Sequence, residues 1–159
     1  MEKYEELLIS LRRIIRSIDL HSKRLNKESG MTGPQLLVLQ VIEKQDGVTA
    51  KDIADKVNLS QGTVTTILDR LESRALIRRE RSQLDRRRVS LHLTEPAVDL
   101  LHKAPKPLQD HFIERFKHLE EWEQNLLLSS FSRVASMMDA SDIDAAPLLE
   151  ISEVIGKEP

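Results

Sequence analysis

Apolar residues recur at helical spacing in the middle of the chain. Positions i, i+3, i+4 and i+7 of one segment are held by Val64, Ile67, Leu68 and Leu71. This spacing predicts a helix with one apolar face, and Ser60 is a suitable N-cap for it. The opposite face carries polar side chains, most of them short: Gln61, Thr63, Thr65, Thr66, Asp69 and Arg70. Such a face suits a helix whose backbone comes close to a partner.

A shorter amphipathic helix is predicted just before this one. Thr49 can cap it, and its apolar face holds Ile53, Ala54 and Val57. Asn58 and Leu59 then turn the chain into the second helix. Two short helices joined by a tight turn form a helix-turn-helix, whose second helix can enter the major groove of DNA. The alternative is a pair of amphipathic helices in any all-α domain.

A pair of strands is predicted after the second helix. Residues 76–81 form the first strand, and residues 82–86 form a loop. Alternating apolar residues at Val89, Leu91 and Leu93 mark the second strand, over residues 87–93. From Arg74 to Arg88 there are seven Arg and two acidic residues. An arginine-rich hairpin after a helix-turn-helix is typical of a wing that contacts phosphates and enters a narrow minor groove.

Longer helices are predicted on both sides of this region. Residues 4–28 carry an apolar stripe of Leu7, Leu11, Ile14 and Ile18, which predicts a core helix. Another helix starts at Thr32, whose side chain can form a capping box with Gln35. After a helix that restarts at Thr94, Pro105 and Pro107 predict a bend. Apolar residues at helical spacing then continue to about Asp139.

Composition narrows the functional classes. The chain has 159 residues and no Cys, which excludes disulfides and thiolate metal sites. No apolar run approaches a membrane span and no signal peptide is recognisable, so we expect a cytoplasmic protein with no membrane partner. The net charge of −2 divides unevenly: residues 51–93 hold 10 basic and 6 acidic side chains, whereas residues 94–159 hold 6 and 13. One surface only is therefore expected to face DNA.

The sequence offers little catalytic chemistry. It contains no Gly-rich phosphate loop, no His-Glu-x-x-His motif and no nucleophile elbow, so we predict that the chain is not an enzyme. His111, Glu114 and His118 lie at i, i+3 and i+7 and could ligate a divalent ion. A solvated or dimer-facing surface is the favoured interpretation of these three residues. No metal and no cofactor are predicted.

The stretch from Met31 to about Leu101 resembles the winged helix-turn-helix of the MarR family, the multiple-antibiotic-resistance regulators. The matching pieces are residues 50–54, 59–65, 68–72, 85–87 and 91–94. The family commonly has Gly where this chain has Ala97. The resemblance implies a mainly α-helical fold with a two-stranded wing. It also implies one domain over residues 1–159, with a DNA-binding lobe at 31–101 and a helical dimerisation lobe formed by 1–28 and 105–159.

The resemblance further implies a function. Such a protein is a homodimeric repressor that binds a pseudo-palindromic operator in double-stranded DNA, and a small-molecule effector between the lobes modulates its binding. Residues 144–149 of the apolar tail resemble MarR-type regulators of compatible-solute (osmolyte) genes, and we expect the tail to pack along the dimerisation lobe. The alternative from another class is a helical effector-binding or interaction protein without DNA binding.

The predicted DNA-binding residues lie on the two short helices and the wing. We expect Gln61 to pair with adenine in the major groove, because its amide can make two hydrogen bonds to that base. By resemblance, Asp85 braces Arg87 at the wing tip. The complete predicted set is Lys51, Ser60, Gln61, Thr63, Thr65, Thr66, Arg70, Asp85, Arg86, Arg87 and Arg88.

Overall fold

Seven α-helices and two β-strands make up the computed structural model over residues 1–143 and 145, the part of the chain that the structure describes. In chain order they are α1 (Lys3–Ser29), α2 (Gly33–Lys44), α3 (Ala50–Val57), α4 (Gln61–Ser73), β1 (Ile77–Arg81), β2 (Val89–Leu93), α5 (Glu95–Lys103), α6 (Leu108–Lys117) and α7 (Glu121–Met137). The mainly helical fold with a two-stranded wing is as predicted. The apolar tail beyond Ala145 lies outside the described residues, and so does the motif at 144–149 apart from Ala145.

The starts of α2, α3 and α4 are fixed by the caps that the sequence predicts. Thr32 and Thr49 each form a capping box, with Gln35 and Asp52 as the reciprocal partners. The Ser60 hydroxyl accepts a hydrogen bond from the Thr63 backbone N–H, at 3.1 Å. Side-chain caps satisfy N–H groups that have no partner inside the helix. The three helix starts are therefore set locally.

The turn between α3 and α4 requires an unusual backbone conformation. Asn58 has a φ of +52°, in the left-handed region that Asn tolerates better than most residues. The Leu59 N–H donates to the Ala54 carbonyl at 3.3 Å, which closes the end of α3. The chain then enters α4 directly, so the helix-turn-helix forms as predicted.

The wing is an antiparallel hairpin that is anchored to the α2–α3 loop. Ile77 pairs with Leu93 and Arg81 with Val89. Val48 forms an antiparallel bridge with Leu91, which the sequence analysis did not predict. The Leu91 N–H donates to the Val48 carbonyl at 3.0 Å. The base of the wing is thus held by the helical part of the fold.

One apolar core is shared by α2, α3, α4, the wing strands and α5. Its members include Leu25, Met31, Leu36, Val38, Leu39, Ile42, Val48, Ile53, Val57, Val64, Ile67, Leu68, Leu71, Leu91 and Ala97. Val38, in the middle of α2, is fully buried in this core. Ala97, where the family commonly has Gly, is fully buried within a regular helix. We call residues 25–104, which contribute to this core, the core segment.

The two prolines separate two helices instead of bending one. The helix α5 ends at Lys103 and α6 begins at Leu108, with Pro107 in the N-cap position. Proline cannot donate a backbone hydrogen bond and disfavours helical backbone in the residue before it. Two prolines so close together therefore end one helix and allow the next to start, which corrects the predicted bend.

The remaining helices leave most of their large apolar side chains exposed. The prediction of a core helix is wrong for the first part of α1, because Leu7 and Ile14 are each 42% exposed. Neither α6 nor α7 contains a buried residue, and Phe131 is 53% exposed. We call α6, α7 and residues 3–21 of α1 the open helices. Among the described residues, no helix combines the length and apolar character that a bilayer crossing requires.

Candidate nucleic-acid interface

The exposed face of α4 presents hydrogen-bonding groups of defined type. Gln61 is exposed, and its side-chain amide has no hydrogen-bond partner within residues 1–143. The hydroxyls of Thr65 and Thr66 donate to the Gln61 and Gly62 carbonyls, at 2.9 and 3.1 Å. Because their protons are used within the helix, these two residues offer oxygen lone pairs and methyl groups to a partner. Gln61 thus offers both donors and an acceptor to a partner, whereas the Thr65 and Thr66 hydroxyls offer acceptors only.

Ser60 and Thr63 are engaged with each other at the start of α4. Their hydroxyl oxygens lie 2.8 Å apart, and Ser60 also caps the helix. Both were predicted to face DNA bases, and in the structure their hydroxyls hold the helix start. Arg70 lies two turns further along the exposed surface, and its guanidinium has no ion-pair partner in the described part of the chain.

Asp85 organises the wing tip through the backbone. Its carboxylate accepts a hydrogen bond from the Arg87 backbone N–H at 3.0 Å, not from the guanidinium. Its carbonyl accepts from the Arg88 N–H at 3.0 Å, and the Ser82 hydroxyl accepts from the Asp85 N–H at 3.2 Å. The predicted brace between Asp85 and Arg87 is therefore a turn that leaves the Arg87 guanidinium exposed.

Two of the seven arginines counted in this region are engaged by other parts of the same chain. Arg74 donates to the Gly30 carbonyl at 2.8 Å and thereby joins the end of α4 to the end of α1. Arg79 forms ion pairs with Asp69 at 2.7 Å and Glu72 at 3.1 Å. Neither role was predicted from the sequence. A signal for Arg79 existed, since strand alternation places it on the same face as buried Ile77.

A cleft of about 440 Å³ lies between the start of α3 and the wing tip. Its lining brings Lys51 together with Arg87 and Arg88. At its edge, hydrogen bonds from the hydroxyl and the backbone N–H of Thr49 hold the pKa of Asp52 below its ordinary value of 3.8. Asp52 is thus a carboxylate, committed to capping α3. The cleft gathers three cations from two distant parts of the sequence.

The possible metal site is not assembled. Among the residues that the structure describes, no group of three His, Cys, Asp or Glu side chains could hold a metal ion. His118 is bound through Nδ1 to the Glu114 carbonyl at 2.6 Å, and the Glu114 carboxylate is 3.4 Å from the Lys106 ammonium.

Known proteins resemble the chain in sequence. The model of the MarR family matches residues 29–88. The transcriptional regulator MgrA of Staphylococcus aureus is 37% identical over 92 residues, which span 57% of this chain and 63% of MgrA. The transcriptional regulator MhqR of Bacillus subtilis is 29% identical over 133 residues, 84% of this chain and 92% of MhqR. Both are named as regulators, in agreement with the prediction of a non-enzymatic protein.

Solved structures resemble the fold. A MepR-like protein complexed with pseudoligands has 25% identity and a TM-score of 0.57, over 86% of this chain and 94% of that one. Streptococcus pneumoniae FabT, solved in complex with DNA, has 23% identity and a TM-score of 0.56, over 86% of this chain and 98% of that one. The chain is therefore similar in sequence to MarR-family regulators, and it shares their winged helix-turn-helix fold.

Proposed function

We propose that the chain is a sequence-specific, DNA-binding transcriptional regulator that represses its target genes. The observation that carries this proposal is the surface of the core segment, where the unpartnered Gln61 amide and the exposed wing arginines lie on two neighbouring elements. A helix of this kind reads base edges in the major groove, and wing arginines contact phosphates and the minor groove. The DNA complex of FabT supports the same use of the shared fold.

The division of labour in the chain follows from this proposal. Residues 31–101 bind DNA, whereas 1–28 and 105–159 hold two copies together. The large apolar side chains that the open helices leave exposed support a homodimer, since such side chains on a protein surface often mark an interface. Two copies related by two-fold symmetry would bind a pseudo-palindromic operator with half-sites about one DNA turn apart.

A groove along α1 supports modulation by a small molecule. It has a volume of about 610 Å³ and is lined by Arg12, Arg13, Arg16 and Arg24, with Leu20, His21 and Leu108 beside them. Arg16 and Arg24 are paired with Asp19 and Glu28, at 3.0 and 2.7 Å. Arg12 and Arg13 have no ion-pair partner within the described residues. An anionic effector suits these two guanidinium groups.

The sequence of the tail suggests which genes the protein regulates. Residues 144–149 resemble the corresponding stretch of regulators of compatible-solute genes. We therefore propose promoters of compatible-solute genes as the first natural targets to test.

Selection from a randomised duplex library, followed by binding in a salt series, tests DNA recognition. The parent protein should enrich a two-fold symmetric sequence. Gln61→Ala should lose about 1–3 kcal/mol of binding free energy and relax the preference at one position per half-site. Arg87→Ala should weaken binding and flatten the salt slope, because one phosphate-neutralising cation is removed.

Failure of the parent protein to enrich any sequence would contradict the proposal. It would favour the alternative of an effector-binding or interaction protein without DNA binding. An unchanged preference in the Gln61→Ala variant would remove the assigned role of Gln61 alone.

A further inference from the structure

Arg79 lies on the inner face of the wing, although it belongs to the basic stretch that the proposed function assigns to DNA. It is the third residue of β1 and pairs with Leu91, which is 1% exposed. Alternation along the strand places it on the same face as buried Ile77. Its side chain is 33% exposed and extends toward α4. The position of Arg79 therefore differs from that of the arginines at the wing tip.

The guanidinium of Arg79 binds two carboxylates on α4. Its Nη2 lies 2.7 Å from Asp69 Oδ1, and its Nη1 lies 3.1 Å from Glu72 Oε2. Asp69 and Glu72 are three residues apart, so they share one face of the helix. The rigid planar fork of an arginine can engage both carboxylates at once, and this restricts rotation and sliding of the strand against the helix.

This contact joins the two elements that the proposed function places on DNA. The helix α4 carries Gln61 at its start, and β1 leads to the wing tip. Exposed ion pairs add little to the free energy of unfolding, so stability alone gives the contact a small role. The distance and angle between a reading helix and a wing, however, decide whether both can bind one half-site. The contact is well placed to fix that geometry.

We propose that Arg79 is a positioning residue for DNA recognition, which acts through Asp69 and Glu72 and does not itself contact DNA. This inference rests on the proposed DNA-binding function. The proposal also predicts how the charge of Asp69 affects DNA binding. Removing the negative charge of Asp69 should weaken DNA binding, although simple repulsion between a carboxylate and phosphates predicts the opposite.

The test uses the full-length chain and the duplex that the parent protein enriches from a randomised library. Affinity is measured by fluorescence anisotropy in a salt series. Arg79→Gln should bind about tenfold more weakly than the parent, with the salt slope unchanged. Arg87→Gln is the comparison for a DNA-contacting arginine, and its slope should fall by about 1. Arg78→Gln is the matched control, since it removes the same charge from the neighbouring, exposed residue of β1.

Further variants separate geometry from charge. Arg79→Lys keeps the charge but lacks the planar fork, so it should remain close to Arg79→Gln. Asp69→Asn should weaken binding, and the double variant Arg79→Gln/Asp69→Asn should bind no more weakly than the weaker single variant. Each variant is compared with the parent by circular dichroism and thermal unfolding, which should change little.

Several results would overturn the role of Arg79. These are parent-like binding by Arg79→Gln, a slope that falls as in Arg87→Gln, full recovery in Arg79→Lys, or additive losses in the double variant. Binding by the parent protein is measured first. A parent that enriches no duplex would overturn the proposed function, whereas a binding parent with an unaffected Arg79→Gln variant would overturn this inference alone.

Discussion

The core segment and the open helices differ in whether their apolar side chains are buried within the chain. The core segment buries Leu39, Ile67 and Leu68 almost completely within one chain. The helices α6 and α7 contain no buried residue, although Phe112, Leu126 and Phe131 lie on them. The periodic apolar pattern is similar in both regions. The difference teaches that periodicity predicts a helix, but not whether its own chain covers it.

The largest expected effect comes from truncating the closed core. Leu68→Ala removes a side chain that is 1% exposed from the middle of the core. We expect the free energy of unfolding to fall by about 2–5 kcal/mol, because transfer energy is lost and a cavity remains. Urea denaturation at several protein concentrations measures this. A loss below 0.5 kcal/mol on the same scale would show that the core segment is not closed around Leu68.

A charge on α7 should separate the two copies. Phe131→Glu places a carboxylate on an exposed apolar surface that the proposed dimer would cover. We expect dimerisation to weaken by about 2 kcal/mol, or roughly 30-fold, because an aromatic burial is lost. Analytical ultracentrifugation over a dilution series measures the change.

The control for this variant is Ser129→Glu, which adds the same charge to the polar face of α7. It should leave the dimer unchanged. Equal sedimentation of both variants and the parent as dimers would place the dimer contacts elsewhere, and a monomeric parent would remove the proposed dimer altogether.

Loss of the α4 cap should have an intermediate effect, confined to the core segment. Ser60→Ala removes the hydroxyl that accepts the Thr63 N–H. We expect a loss of about 1 kcal/mol in the free energy of unfolding, independent of protein concentration. Thr94→Ala is a useful comparison, because the Thr94 hydroxyl donates to the Ala75 carbonyl and does not cap α5. A loss in Ser60→Ala that depends on protein concentration would show that the cap is coupled to dimerisation, and it would contradict an effect confined to the core segment.

The smallest expected effect is a pH dependence at the start of α3. Because hydrogen bonds from Thr49 lower the pKa of Asp52, its stabilisation is complete above the ordinary value of 3.8 and is lost as the pH falls through the lower folded value. Between pH 5 and acid pH, the melting temperature of the parent should therefore fall slightly more than that of Asp52→Asn. Parallel curves for the two proteins would contradict a role for ionised Asp52 in this cap.

Local signals predicted the core segment well. The caps at Thr32, Thr49 and Ser60 were predictable because each cap and its partner lie within three residues of each other. The turn between α3 and α4 and the alternation along the strands are equally local signals. The bridge between Val48 and Leu91 joins distant parts of the chain, so no local sequence pattern predicts it. The burial of Val38 likewise depends on helices packed around α2.

Charge patterns predicted less about the candidate interface. Counting arginines indicated a basic wing, but Arg74 and Arg79 are engaged by Gly30, Asp69 and Glu72, which are brought near only by the fold. Asp85 was expected to hold a guanidinium, and it holds a backbone N–H instead. A side chain's charge is visible in the sequence, whereas its direction depends on which partner the fold brings within reach.

Because Arg74 is hydrogen-bonded to the Gly30 carbonyl, a tilt of α1 would move the end of α4 with it. The α1 helix has 27 residues and is therefore about 40 Å long. If a dimer grips its far end, a rotation of only about 5° swings the end that is joined to α4 through roughly 3.5 Å. That displacement equals about one base-pair step along DNA. In the proposed dimer, such a tilt would thus change which spacing of half-sites the two copies can span.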